Sequence, residues 1–262
     1  MPVLDAIVPA GGTLREDFAK VVGVDRKALI RFEDKPLIQR VLEALRAAPS
    51  VGRVVVIGAE EVEKAIPAGL ADAVLPEGTS GPDNIDRAIR WYQQSLQEPE
   101  RVLIVTADLP FLTPQSIEDF VAKVPPEADI AAPLITKEAF EDMFPMCDAL
   151  FVKLREGPVT LGCAYVVKAR TCVRCKPHIE EAFARRKSKI GMASLLGLPF
   201  VYKWLVGSLS VADVERKVAE VLHCKPVAVR DAPPELAFDV DYPDDYAYAL
   251  GVFEEKLAKP HP

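Results

Sequence analysis

The chain lacks most of the features that announce a function at a glance. Positive charge is not in excess: 32 lysines and arginines face 39 aspartates and glutamates, a net charge of −7. A nucleic-acid footprint needs a cationic surface, so DNA or RNA is a poor partner. A local cluster such as Arg15, Lys20, Arg26 and Lys27 still suits a small anion inside an acidic whole. Only three histidines are present, none at a helpful metal spacing, and no Ser/His/Asp grouping is apparent. Five cysteines, an odd number, do not form a disulfide framework, and Cys172-x-x-Cys175 lacks the second pair of a zinc site. No strand is followed by G-x-G-x-x-G, which argues against a dinucleotide-dependent dehydrogenase. Linker-like Gly/Ser stretches, repeats and low-complexity segments are missing, so one domain over residues 1–262 is expected. The first residues run directly into an apolar strand with no basic, apolar and cleavage-site succession, so no secretory signal and a cytoplasmic location are expected.

Half of the residues are hydrophobic, enough for a substantial core. Short apolar runs at Val3–Val8, Arg53–Ile57, Arg101–Thr106 and Asp129–Ala132 read as buried parallel strands. Helical patterns lie between them. Pro36 suits the first turn of a helix through Leu37, Val41, Leu42 and Leu45, and Pro82 does the same for residues 83–96. Thr113-Pro114 is an N-cap and first-turn pair, Ser210 opens a further helix, and Pro243-Asp244-Asp245 opens the last. Such alternation predicts an α/β fold: a Rossmann-like three-layer α/β/α sandwich with a mostly parallel, mixed sheet. Ligands bind such sheets at the carboxyl ends of the strands.

Two strand ends carry candidate chemistry. Val3–Val8 delivers the chain into Pro9-Ala10-Gly11-Gly12-Thr13-Leu14-Arg15, where paired glycines let backbone N–H groups approach a phosphate. The second strand end is Thr106-Ala107-Asp108-Leu109-Pro110, which holds a carboxylate at the mouth of the sheet, with a turn or helix cap near Thr113 as its plainer role. Near the C-terminus, Asp239-Val240-Asp241 puts two carboxylates on one face of an extended segment. Asp244 and Asp245 read as first-turn carboxylates favourable to the helix dipole.

With these motifs the chain resembles the GT-A-fold nucleotidyltransferases of the MobA-like NTP transferase family, relatives of which act on molybdopterin, sugar phosphates or methylerythritol phosphate. The family's P-A-(A/G)-G-x-G-x-R opening matches Pro9 to Arg15, followed by Lys27 and by Lys35-Pro36-Leu37-Ile38. Leu14 replaces the usual third glycine, and residues 16–26 depart from the usual continuation. The resemblance implies an enzyme that moves an NMP from an NTP, CTP or GTP, to an anionic, phosphorylated small-molecule acceptor with release of pyrophosphate. It implies Mg²⁺ held by Asp108 and Asp241, with Asp239 as the rival to Asp241. Arg15 and Lys27 would grip the triphosphate and act as the catalytic cations, with Lys20 and Arg26 competing for the place of Lys27. Pro9, Ala10, Gly11 and Gly12 would cradle phosphate, and Gly78, Gly81 and Asn84 would contact base and ribose; Asn84 as a simple helix-start residue is the plainer reading. Residues 133–160 and 188–235 follow no subfamily pattern and are expected to be acceptor-side insertions. Leu161-Gly162-Cys163-Ala164 could line the acceptor pocket.

Two other readings share the fold. A GT-A glycosyltransferase usually carries D-x-D after a core strand, where this chain has Ala107-Asp108-Leu109-Pro110. A regulatory nucleotide-binding module without turnover would explain the atypical loop but not the retention of Arg15, Lys27, Asp108 and Asp241. Residues 192–211 hold one charge in twenty, close to the roughly 20 apolar residues of a bilayer span. Pro199, Lys203 and two glycines interrupt them. A buried helix or helix–turn beside the acceptor pocket is therefore expected, with a lipid-facing surface as the lesser alternative.

Overall fold

The computed structural model describes residues 3–94, 98–185, 188 and 194–258. β1 (Leu4–Pro9) lies in the middle of the sheet, between β4 (Val51–Gly58) and β6 (Arg101–Val105), parallel to both. β5 (Ala73–Pro76) continues the parallel half beyond β4, to which α3 (Glu60–Lys64) connects it, and the short β2 (Arg31–Phe32) and β3 (Lys35–Pro36) pair with each other apart from this sheet. On the other side β10 (Ala164–Lys168) runs antiparallel to both β6 and β7 (Ile130–Thr136), and β11 (Pro226–Val229) pairs with β7 in parallel. β8 (Val152–Leu154) and β9 (Gly157–Leu161) form an antiparallel ribbon against the end of β7. The sheet is thus mixed and mostly parallel, the architecture expected of its sequence.

Alternation along β1 divides the core. Ala6 and Val8 face α2 (Leu37–Ala47) and α5 (Pro114–Lys123), with Ile38, Leu42, Leu45, Ile117 and Phe120 filling the layer. Ile7 faces the opposite layer with Val55, Ile57 and Ile104, under α4 (Gly81–Gln93) and α7 (Ala169–Arg185). A strand buried on both faces has no polar position to spare, so its sequence is a continuous apolar run. Tyr92, fully buried on α4, satisfies its hydroxyl by donating to the Ala6 carbonyl at 2.7 Å.

The caps follow the sequence. Thr113 and Ser116 form a reciprocal capping box at α5, and Ser210 and Asp213 form another at α9 (Val211–Leu222). Pro36 sits one residue outside α2, as its N-cap. β7 extends four residues past the predicted strand, because Leu134–Thr136 pair with β9. The expected insertion at 133–160 is therefore partly sheet, with α6 (Lys137–Met143) between β7 and β8. Residues 188–235 contribute α8 (Leu198–Leu205), α9 and β11 among those described.

One expectation fails. The apolar run at 192–211, predicted to be buried, forms α8, which has no buried residue, whereas Leu209 and Ser210 just after it are buried. Met192 and Ala193 lie outside the described residues. Apolar composition predicts burial only where the fold supplies a partner surface, and here just one face of the helix finds one, at Phe200. No helix among the described residues is long and apolar enough to cross a membrane.

Candidate active site

The carboxyl ends of β1 and β6 lie side by side, which brings the glycine loop next to Asp108. The loop is stitched to the segment that follows α1 (Glu16–Val22): Leu14 N donates to the Asp25 carbonyl at 2.9 Å, and Lys27 N to the Gly12 carbonyl at 3.0 Å. Leu14 packs against a second apolar cluster that includes Phe18 and Ile30. A leucine at the third loop position therefore anchors the loop from below, where a glycine could not.

Lys27 is the centre of the site. Its ammonium lies 3.0 Å from Asp108 Oδ2 and also bonds Asp241 Oδ1. Burial disfavours its charge, but Asp108 and Asp241 outweigh that cost and hold the ammonium above its ordinary range. Asp239 completes the group: one oxygen from each of Asp108, Asp239 and Asp241 lies within 4.8 Å of the others. Burial pushes the Asp239 carboxyl up to about 7, helped by the charges of Asp108 and Asp241. The backbone fixes this meeting, since Val240 N donates to the Asp108 carbonyl at 3.1 Å. Asp245 accepts from the N–H groups of Asp241 and Tyr242 at 2.9 and 2.8 Å, opening α10 (Pro243–Ala258).

These carboxylates fit a hard divalent cation. Asp108 Oδ1 is buried without a hydrogen-bond partner among the described residues, beside two further carboxylates of like charge. Magnesium is bound by a few carboxylates with water completing its shell. Cys163, at the bend between β9 and β10, borders the same charges; burial, with Asp239 and Asp108, pushes its thiol well above the usual range. Gly162 beside it is required by packing, because a Cβ would lie 2.7 Å from Pro133 and 2.8 Å from the Leu236 carbonyl.

The other predicted residues fall around this centre. Arg15 is exposed, with its guanidinium 5.5 Å from the centre of the Tyr242 ring and 3.2 Å from Asp17. Lys20 is exposed and pairs with Glu16 on its own helix. Arg26 points away from Lys27, toward Glu61 (3.0 Å), Glu77 (2.9 Å) and the Gly11 carbonyl (3.3 Å). Sequence reasoning missed this tie between the phosphate loop and the β5 exit, since its partners are distant in the chain. Asn84 is buried, and its Oδ1 accepts from Gly78 N at 2.6 Å. A Cβ on Gly11 would meet Glu77 Oε2 at 2.5 Å and Asn84 Nδ2 at 3.4 Å, so these groups border the loop on the side away from Lys27. Gly81 faces the Phe183 ring. Cys172 and Cys175 are buried in α7, where the Cys175 thiol donates to the Leu222 carbonyl at 2.8 Å.

A glycine loop beside clustered carboxylates at the carboxyl edge of a helix-covered sheet is where such folds bind their ligands. The chain belongs to the MobA-like NTP transferase family, whose domain it matches over residues 6–204. A hypothetical transferase from Thermus thermophilus is 30% identical, with 93% of this chain and 99% of that chain covered and a TM-score of 0.82. A CMP:2-keto-3-deoxy-manno-octonic acid synthetase complexed with CTP superposes with a TM-score of 0.59 at 14% identity, covering 98% of this chain and all of its own. A 4-diphosphocytidyl-2C-methyl-D-erythritol synthase from Anaerococcus prevotii gives 0.57 at 10% identity, with 97% and 96% covered. The last two speak for the fold alone. No curated protein matches by sequence.

Proposed function

We propose that the protein transfers an NMP from an NTP, CTP or GTP, to a phosphorylated small-molecule acceptor and releases pyrophosphate, with Mg²⁺ as cofactor. The convergence of Lys27 with Asp108, Asp239 and Asp241 beside the Gly11-Gly12 loop carries this reading. An acceptor oxygen attacks the α-phosphorus, and the bond from that phosphorus to the bridging oxygen of the leaving pyrophosphate breaks. The site's task is to position two anions and to neutralise charge spreading over phosphate oxygens. The Pro9–Gly12 backbone borders the triphosphate, with the N–H groups of Gly11 and Gly12 as its donors, Lys27 exchanges carboxylate partners for phosphate oxygens, and Arg15 closes the rim. Gly78, Gly81 and Asn84 bound the nucleoside side. Asp108 and Asp241, with Asp239 as a third ligand, hold the metal, which supplies charge neutralisation when bound.

The test is a thermal-shift series with each NTP, with and without Mg²⁺, followed by an assay of pyrophosphate release from the NTP that binds. A ligand selective for the native state raises the melting temperature with its concentration. Absence of any shift at millimolar NTP with Mg²⁺ would defeat both the enzyme and the nucleotide-module readings. Binding without pyrophosphate release across phosphorylated acceptors favours the regulatory module. Transfer of sugar from a nucleotide-sugar would replace the proposal with a glycosyltransferase.

A further inference from the structure

A cavity of about 180 Å³ lies between α4 and α7, on the face of the sheet opposite α2 and α5. Ile104, Ile130 and Val167 border it from β6, β7 and β10, and Ile85 and Ile179 from the two helices. Protein interiors rarely keep voids much larger than a water molecule. An apolar cavity of about 150 Å³ stays dry and takes up benzene, so the space here suits one six-membered ring with a small substituent. It is separate from the Lys27 centre, since neither that lysine nor any of the three clustered carboxylates lines it.

Two polar side chains border this apolar space with complementary demands unmet. Asp86 of α4 is only 6% exposed. Its Oδ2 accepts from Arg90 Nε and from Lys176 Nζ, each at 2.9 Å, whereas Oδ1 is buried with no hydrogen-bond partner among the described residues. Burial disfavours its charge, but Lys176 and Arg90 outweigh that cost and hold the carboxyl below its ordinary range. Asp86 is therefore an acceptor only. Two cations already match its charge, so what Oδ1 lacks is a neutral donor. Tyr165 of β10 lines the same cavity, and its hydroxyl makes no hydrogen bond among the described residues. Burial pushes the Tyr165 phenol above its ordinary range, so the group keeps its proton and offers a donor. A buried donor or acceptor left without a partner is costly, and here one of each borders one cavity.

We propose that the cavity is a binding site for a small neutral cyclic alcohol or phenol. The ring fills the isoleucine-lined space, and the hydroxyl donates to Asp86 Oδ1 while accepting from Tyr165. A hydroxyl donates and accepts through one atom, which lets a single group answer both side chains. A bound water would satisfy the same two groups but leave the apolar volume empty. The proposal stands independently of the nucleotide chemistry.

The experiment is calorimetric titration of the full chain with phenol and with benzene, alongside thermal melts at rising concentrations of each. Phenol is expected to raise the melting temperature with its concentration and to bind roughly tenfold more tightly than benzene. Tyr165→Phe keeps the ring and removes the donor, so it should cut most of that preference and leave benzene binding unchanged. Val167→Phe fills the space and should abolish binding of both. Should Val167→Phe fail to fold, wild type and Tyr165→Phe decide between them. The proposal is overturned if millimolar phenol gives neither heat nor a melting shift, as when water alone occupies the polar end. Equal affinity for phenol and benzene also overturns it, as does a preference for phenol that survives in Tyr165→Phe. Phenol binding retained by folded Val167→Phe would place the ligand elsewhere and overturn it as well.

Discussion

At Lys27 one ammonium is shared between Asp108 and Asp241, while burial and its two neighbours push the Asp239 carboxyl beside them up to about 7. Removing any member changes both the charge and the polar satisfaction of the rest. Asp108→Asn keeps the side chain's shape at a strand end and is expected to fold but to lose most turnover, because an amide is a poorer magnesium ligand than a carboxylate. Asp241→Asn should be milder, since Asp241 is about half exposed and Asp239 stands beside it. Lys27→Ala should weaken triphosphate binding or slow the chemical step by about 2.7–4 kcal/mol, the range for losing one donor to a charged transition state. Turnover against Mg²⁺ concentration in the three variants separates these effects. Near-native activity and metal dependence in Asp108→Asn would move the metal site elsewhere.

The start of α4 is held in place by the donors around Asp83. A Cβ at Gly78 would lie 2.0 Å from Asp83 Oδ2 and would displace that carboxylate. Asp83 gathers the surrounding donors. The Thr79 N–H, then Lys176 and Arg87, hold its carboxyl down at about 2, against an ordinary 3.8. A folded-state pKa below the unfolded value stabilises the protein above the unfolded value, and that contribution is lost as pH falls through the folded one. Asp83→Asn is therefore expected to lower the melting temperature at neutral pH, with the gap to wild type closing between about pH 4 and pH 2. Thermal melts of both proteins across that window check it. A gap that stays constant down to pH 2 would show that shape, and not charge, is what Asp83 contributes.

Across the whole molecule, an aromatic cluster ties the two ends of the chain to the site. Phe238 packs on Phe111 and Phe144 with ring centroids 4.9 and 5.0 Å away, and Phe253 of α10 packs on Phe111 and Phe32 at 5.4 and 5.3 Å. Asp239 follows directly on this buried ring, so the cluster sets where the C-terminal carboxylates stand. Phe238→Ala is expected to cost about 3–5 kcal/mol in stability. Turnover should fall further than the folded fraction explains, as the 239–241 segment loses its anchor. Denaturant unfolding alongside turnover at a temperature where the variant is folded tests this. Full activity in the folded variant would mean that the hydrogen bond from Val240 to Asp108 positions the carboxylates by itself.

What the sequence determined alone are the features whose cause is local. A continuous apolar run into Gly11-Gly12, a carboxylate just past β6, and Ser or Thr before a helix are legible because periodicity, glycine freedom and capping act over a few residues. The mixed α/β sheet follows from their alternation. Tertiary structure decided what depends on partners far apart in the chain. The Asp239-x-Asp241 pair reached Asp108 because the last loop folds back under that strand end, making a three-carboxylate cluster from what had looked like rivals. Arg26 found Glu61 and Glu77, distant in the chain, and not the carboxylates that meet Lys27. Leu14, an apparent defect in the loop, proved to be its anchor on the core. The apolar run around α8 remained outside because hydropathy records what a segment would gain from burial, whereas only the packed fold determines whether there is a surface to bury it against.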